Sequence, residues 1–354
     1  MTLKDLGYNS TLEKYRSEQS LGSFEIGRVI LEHKERYVVK TPENEFDAEL
    51  IGNLRFNAES RHDFPAVGDW VAFSEYDEGK ALIHAVYPRN SIIERKAVGK
   101  SGQVQIIATN VDYGLIVQAV DRDFNLNRLE RYLTICNASN VEPVIVLSKI
   151  DLINEPELED IIAQVNQRNK DVAVIAVSSE TKGYGELEKV IEKGRTYCLL
   201  GSSGVGKSTL LNSLSGELQM KTGEISSSVN KGKHITSHRE LFVLDSGGIL
   251  IDNPGMREVG IADTTSGLET TFESILEYAK DCRFKDCTHV HEKGCAVLAA
   301  VDSGEIEEGS YANFLKMEKE KMHFESDAIE RKKKDKDLGK MIKNVKKQRK
   351  SDKY

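Results

Sequence analysis

No stretch of this chain approaches the roughly 20 consecutive apolar residues that a membrane-spanning helix needs, so contact with a membrane is not expected. The opening residues, Met1 to Gly7, lack the apolar core of a secretory signal. Cysteine is scarce. There are five, an odd number, which argues against a disulfide framework and for a reducing, cytoplasmic home. Positive charge is in deficit as well. The net charge is −8, which speaks against a uniformly basic nucleic-acid face. The distribution qualifies that reading. From Lys316 to Tyr354 there are 15 Lys/Arg against 8 Asp/Glu, which leaves −15 on the rest of the chain. A basic tail on an acidic body points to local contact with a polyanion.

What is present is organised around one stretch, Gly201-Ser202-Ser203-Gly204-Val205-Gly206-Lys207-Ser208-Thr209. It fits G-x-x-x-x-G-K-[ST], the loop that cradles phosphates. Thr196 to Leu200 before it reads as a short buried strand. Leu210 to Gly216 after it reads as a helix with Leu210, Leu211 and Leu214 on one side. The alternative is a glycine turn ahead of an ordinary helix, and the strand–loop–helix context favours the phosphate loop. Glycines let backbone N–H groups approach phosphate, and the helix start adds free donors and a positive dipole end. Lys207 is placed to reach the β- and γ-phosphates, and the Ser208 hydroxyl to hold Mg²⁺.

The 354 residues allow two or three domains, and 39% hydrophobic content suffices for globular cores. Residues 1–22 are polar and read as a flexible lead-in. Between Ser23 and Arg95, five short strand-like runs alternate with turn residues: 27–31, 37–39, 48–51, 69–73 and 81–86. That spacing suggests a small closed barrel of the OB kind. Such a barrel serves either nucleic acid or a purely structural or protein contact. Lys96 to Gln103 reads as a connector. Strands at 111–117, 143–147 and 172–177 then alternate with helices at 127–139 and 157–169, the pattern of a parallel, doubly wound sheet. Ligands of such sheets sit beyond the carboxyl ends of the strands.

Two short motifs fall at such ends. Ser148-Lys149-Ile150-Asp151 supplies a carboxylate able to accept both the N1–H and the exocyclic amine of guanine, which adenine cannot match. The Lys149 stem can lie over the base. Ala176-Val-Ser178-Ser179 follows the third strand and is placed to offer a backbone N–H near the guanine oxygen. Each motif alone is weak, since a solvated lysine and a helix-capping aspartate explain the first equally well. Their succession within one domain raises their weight. Beyond the loop, Asn230 to Arg239 suits a mobile switch or a basic surface loop, with Thr236 available to Mg²⁺. Runs 241–245 and 248–251 form an expected hairpin that ends in Asp252-Asn-Pro-Gly255. Asp252 is placed to hold Mg²⁺ through water and Gly255 to sense the γ-phosphate, although a simple Asn-Pro-Gly turn also fits.

Further on, Cys282, Cys287, His289 and Cys295 form C-x4-C-x-H-x5-C, three thiolates and an imidazole for a closed tetrahedral Zn²⁺ site. His291 is the rival to His289. Cys136 and Cys198 occupy apolar periodic positions and read as core. Helices are expected at 296–301 and 311–322. Residues 330–350 read either as a helix that forms on RNA or as a solvated tail.

Base motif, phosphate loop, switch threonine and Asp-x-Pro-Gly are GTPase elements in rotated order, with the base motifs first. With a barrel before and a cysteine cluster after, the chain resembles the RsgA/YjeQ family of ribosome small subunit-dependent, circularly permuted GTPases over roughly residues 24–325. The resemblance implies three parts: an RNA-binding OB barrel (1–95), the permuted GTPase domain (96–265) and a zinc-binding helical module with a basic tail (266–354). It implies GTP and GDP as ligands, ribosome-stimulated hydrolysis, and a role in late maturation of the small ribosomal subunit through its rRNA. The GTP residues would be Ser148, Lys149, Asp151, Ser178, Gly201 to Thr209 and Gly255. Ser208, Thr236 and Asp252 would hold Mg²⁺ and join Lys207 in catalysis. Zn²⁺ would be structural, and a monomer is expected. A permuted GTPase of the large subunit and a non-catalytic GTP-binding assembly factor are the competing readings. The chain departs from the family pattern at Ser148, where Asn is usual and whose loss of an amide is expected to loosen the loop around guanine. It also departs at Asn253, where Thr or Ser is usual, and in the switch sequence. Met256 stands where Ras-like enzymes place the water-positioning glutamine, so slow intrinsic hydrolysis is expected.

Overall fold

A computed structural model describes residues 1–33, 36–96, 104–121, 124–178, 180, 183–216, 239–253 and 265–323. The N-terminal part comprises α1 (Ser10–Glu18), β1 (Glu25–His33), β2 (Arg36–Lys40), β3 (Glu45–Leu50), α2 (Gly52–Asn57), β4 (Trp70–Asp77) and β5 (Lys80–Val86). The strands pair in the order β1-β2-β3-β5-β4, and β4 returns to β1, closing an OB-type barrel. Alternate residues point inward, so Val29, Val39, Phe46, Ala48, Val71, Phe73, Ala81 and Ile83 fill it.

Residues 1–22 are no loose lead-in. Asn9 caps α1, accepting from the N–H groups of Thr11 and Leu12. Leu6 and Leu12 are buried with Ile26, Trp70 and Tyr87. Buried Arg28 fastens the segment. It donates to the carbonyls of Leu6 (2.7 Å), Gly68 (3.1 Å) and Asn110 (3.1 Å), joining lead-in, barrel and the chain beyond. Leu3, Leu6, Tyr8, Leu12, Tyr15 and Leu21, spread among polar neighbours, supply this anchorage, which overall polarity conceals.

A separate antiparallel hairpin follows, β6 (Ile92–Lys96) and β7 (Val104–Thr109). The residues between them, most of the expected connector, lie outside the described ones. The α/β part runs β8 (Tyr113–Ala119), α3 (Leu126–Ala138), β9 (Glu142–Ser148), α4 (Glu155–Arg168), β10 (Ala173–Ala176), α5 (Gly185–Val190), β11 (Thr196–Leu200), α6 (Lys207–Ser215), β12 (Glu240–Val243) and β13 (Ile249–Asp252). Its strand order is β10-β9-β8-β11-β13-β12, parallel except for β12. Buried runs such as Val144–Leu147 are apolar throughout because both faces are covered. Ile145 and Leu147 face one core, Val144 and Val146 the other. At Leu31↔Glu240, β1 of the barrel pairs with β12, so barrel and α/β sheet share one 11-stranded sheet.

The C-terminal part holds α7 (Thr265–Thr271), α8 (Glu273–Ala279), α9 (Ala296–Asp302) and α10 (308–323). Leu268, Phe272, Ile275, Val297, Phe314 and Met317 form its core. α7 lies so close to α3 that a Cβ on Gly267 would stand 2.2 Å from the Thr134 carbonyl oxygen. Buried Glu130 of α3 accepts from Asn313 (2.6 Å) and Ser310 (2.9 Å) of α10, and Arg131 forks onto Glu320 at 2.6 and 2.9 Å. No helix among the described residues is long and apolar enough to cross a membrane.

Candidate functional site

The carboxyl ends of β8, β9, β10, β11 and β13 meet at one rim of the sheet. The loop after β11 lies there because Gly201, Gly204 and Gly206 adopt φ of 143°, 84° and 96°. At Gly201 no side chain fits, since a Cβ would lie 2.3 Å from the Val117 carbonyl oxygen of β8. Gly206 precedes α6, whose first residue is Lys207, so the loop opens onto the helix N-terminus. Ser203 and Gly204 are exposed at the crest of the loop, while Gly201, Val205 and Lys207 are buried.

Lys207 is 7% exposed, and its ammonium donates to the carbonyls of Gly201 (2.8 Å) and Ser202 (2.6 Å). Burial lowers its pKa to about 8, and Asp252 opposes the shift. Asp252 ends β13, where burial raises the carboxyl above its usual range against the pull of Lys207. Its Oδ1 is buried with no hydrogen-bond partner. A buried orphan oxygen costs free energy unless something satisfies it. One within the field of Lys207, beside a phosphate loop, suits an ion or its hydration water.

The base motifs join this rim. Ser148 Oγ donates to the Val205 carbonyl at 2.7 Å, tying the end of β9 to the phosphate loop. The hydroxyl thus makes a buried tether where the missing amide led us to expect looseness. Lys149 takes left-handed backbone, φ 59°, and its ammonium pairs with Asp121 at 2.9 Å. Asp151 is exposed, and Ser178 Oγ, fully buried, donates to its Oδ1 at 2.5 Å. So Ser148, Lys149, Asp151, Ser178 and the loop Gly201–Thr209 form one constellation, with Asp252 at its far side. Thr236 and Gly255 lie outside the described residues. Sequence reasoning missed Arg239. It donates to Asn253 Oδ1 at 3.3 Å and to the Ile106 carbonyl at 2.8 Å, next to Asp252. Its only signal was a basic residue at the edge of a polar segment.

Cys282, Cys287, His289 and Cys295 also converge, their ligand atoms all within 4.8 Å of one another. His289 Nδ1 is 3.5 Å from Cys282 Sγ and 3.4 Å from Cys295 Sγ, which are 3.8 Å apart. His289 has φ 59°, and its carbonyl accepts from the Tyr311 hydroxyl. His291 is outside the cluster. These four side chains could hold one metal ion.

Phosphate loop, base motifs on strands that precede it, and a carboxylate on the strand that follows define a circularly permuted GTPase. The model of the family described as RsgA GTPase matches residues 86–262, half of the chain. The small ribosomal subunit biogenesis GTPase RsgA of Opitutus terrae is 40% identical over 338 residues, covering 91% of this chain and 90% of the relative. RsgA 1 of Bacteroides thetaiotaomicron is 36% identical, with 97% and 96% covered. The chain belongs to the RsgA GTPase family. Among solved structures, YjeQ from Thermotoga maritima is similar with TM-score 0.63 and 27% identity, covering 84% of this chain and 98% of that one. YloQ, described as a circularly permuted GTPase, gives TM-score 0.61 and 25% identity, with 85% and 96% covered. The ABC transporter model also matches, over residues 184–351, less than half of the chain. That span includes the phosphate loop, which many nucleotide-binding folds share.

Proposed function

We propose that this GTPase binds the small ribosomal subunit and assists its late maturation, with hydrolysis stimulated by the subunit and coupled to release. Similarity over nine-tenths or more of the chain to relatives named for small-subunit biogenesis carries this reading. The barrel (1–95) and the zinc module with its basic tail (266–354) grip ribosomal RNA, while 96–265 form the GTPase domain. The protein works as a cytoplasmic monomer.

In the site, Lys207 exchanges the Gly201 and Ser202 carbonyls for the β- and γ-phosphate oxygens. Backbone N–H groups of Gly204 to Thr209 surround the phosphates. Asp151 reads the guanine edge, held in aim by Ser178, while Lys149 covers the base plane. Gly255 senses the γ-phosphate. Ser208, Thr236 and Asp252 hold Mg²⁺, which when bound neutralises charge developing on the phosphoryl oxygens. Because Met256 offers no donor to a water, turnover by the isolated chain is slow, and binding energy from the subunit orders the switch residues.

The Cys3His set suits structural zinc. Tetrahedral Zn²⁺ with bonds of about 2.3 Å to sulfur and 2.05 Å to nitrogen implies S···S near 3.8 Å and S···N near 3.5 Å. The observed separations of 3.8, 3.5 and 3.4 Å fit that geometry. Four protein ligands leave no open position for catalysis.

Phosphate release from GTP and from ATP, measured alone and with separated subunits, tests the reading. Small subunits should accelerate GTP turnover, large subunits should not, and Lys207→Ala should remove it. Acceleration by large subunits alone, or no turnover under any condition, would replace this reading with one of its two competitors.

A further inference from the structure

Arg239 sits where three segments meet, and nothing in the reaction outlined above uses it. The pairing Leu31↔Glu240 is antiparallel, so the next pair along places Glu32 of the barrel opposite Arg239. On its other sides the guanidinium donates to the Ile106 carbonyl of β7 (2.8 Å) and to Asn253 Oδ1 (3.3 Å). Asn253 is 3% exposed and directly follows Asp252. Both acceptors are neutral oxygens, and the nearby carboxylate Glu32 is already engaged by Arg61 at 2.6 Å. Burial accordingly lowers the Arg239 pKa, with Glu32 opposing. A guanidinium kept there without a carboxylate of its own among the described residues is a costly way to fill space. Its distinguishing property is a rigid planar fork that can fix several acceptors at once.

We propose that Arg239 is a positioning residue: by holding Asn253 against β7 and the barrel it fixes the aim of the Asp252 carboxylate toward Mg²⁺. The inference rests on the reading of Asp252 as a magnesium residue. It also gives Asn253, a departure from the family pattern, a role as the acceptor for this fork.

The test is the Mg²⁺ enhancement of GDP affinity, the ratio of affinities with Mg²⁺ and with EDTA, in the full-length chain. Asp252→Asn should abolish the enhancement. Arg239→Ala should reduce it about tenfold, the scale of one hydrogen bond to a charged group, with the EDTA affinity unchanged. Arg239→Lys keeps charge but not the fork and should resemble Ala. Asn253→Ala cuts the same bond from the other end and covers the case in which Arg239→Ala does not fold. The double variant should be no worse than either single. If Asp252→Asn loses the enhancement but the Arg239 and Asn253 variants keep it, or if their effects simply add, Arg239 has no such role. If Asp252→Asn keeps it, the magnesium reading of Asp252 falls first and takes this proposal with it.

Discussion

Lys207 shows how much of the site's chemistry is set by burial. Its ammonium is lowered from 10.5 to about 8 because the loop encloses it. Below pH 8 it is protonated in folded and unfolded chains alike, and the cost of burying the charge is fully present. Between pH 8 and 10.5 only the folded chain gives up the proton, so the nucleotide-free protein regains stability from this group as pH rises. Phosphates placed against the ammonium pull its pKa back up. GDP binding above pH 8 should therefore take up a proton, and affinity should fall as pH climbs further. Calorimetry in two buffers of different ionisation heat reads that proton, and its absence would remove Lys207 from the phosphate contact. The residue types at this site were legible in the sequence because strand, glycine loop and helix restrict what can follow. The partners they find were not. That Ser148 reaches the Val205 carbonyl depends on β9 and β11 lying on either side of β8, which spacing along the chain does not encode.

At the scale of elements, the C-terminal module gathers Cys282, Cys287, His289 and Cys295 into a group that could hold a metal ion. Between α8 and α9 runs a segment with no regular strand or helix, whose Phe284 and Val290 are exposed. Backbone N–H groups of Ala296 and Leu298 point at the sulfurs of Cys282 and Cys295, as expected of thiolates under a shared cation. Stripping metal with a strong chelator should raise amide exchange of Ala296 and Leu298 while amides of β11 and β13 stay protected. Equal protection before and after would mean that metal does not fold the module. Periodicity found the long elements, α3, α4 and the buried strands. It missed α2, α5, α7 and α8, each of six or seven residues, too short for an apolar repeat to stand out. α7 is also fixed by something no pattern reveals, the bare Cα of Gly267 against the backbone of α3.

Across the whole molecule, the change from short barrel strands to alternating strands and helices was readable in the sequence, but the continuity of the sheet was not. A single bridge, Leu31↔Glu240, joins residues 209 positions apart. The barrel thereby covers the outer edge of β12, which would otherwise be an open template for another strand. A chain beginning at residue 91 should expose that edge and associate, seen as a concentration-dependent rise in light scattering. A monodisperse product would show that the edge protects itself. The rotated order also bears on synthesis. Translation delivers β9 and β10 early, then the phosphate loop, and only afterwards β13, which must slide between β11 and β12 in the finished array. On the proposed role of Asp252, a nascent polypeptide halted before residue 252 carries the phosphate loop and base motifs but not yet the carboxylate for Mg²⁺, so its grip on nucleotide should be weaker than that of the finished chain.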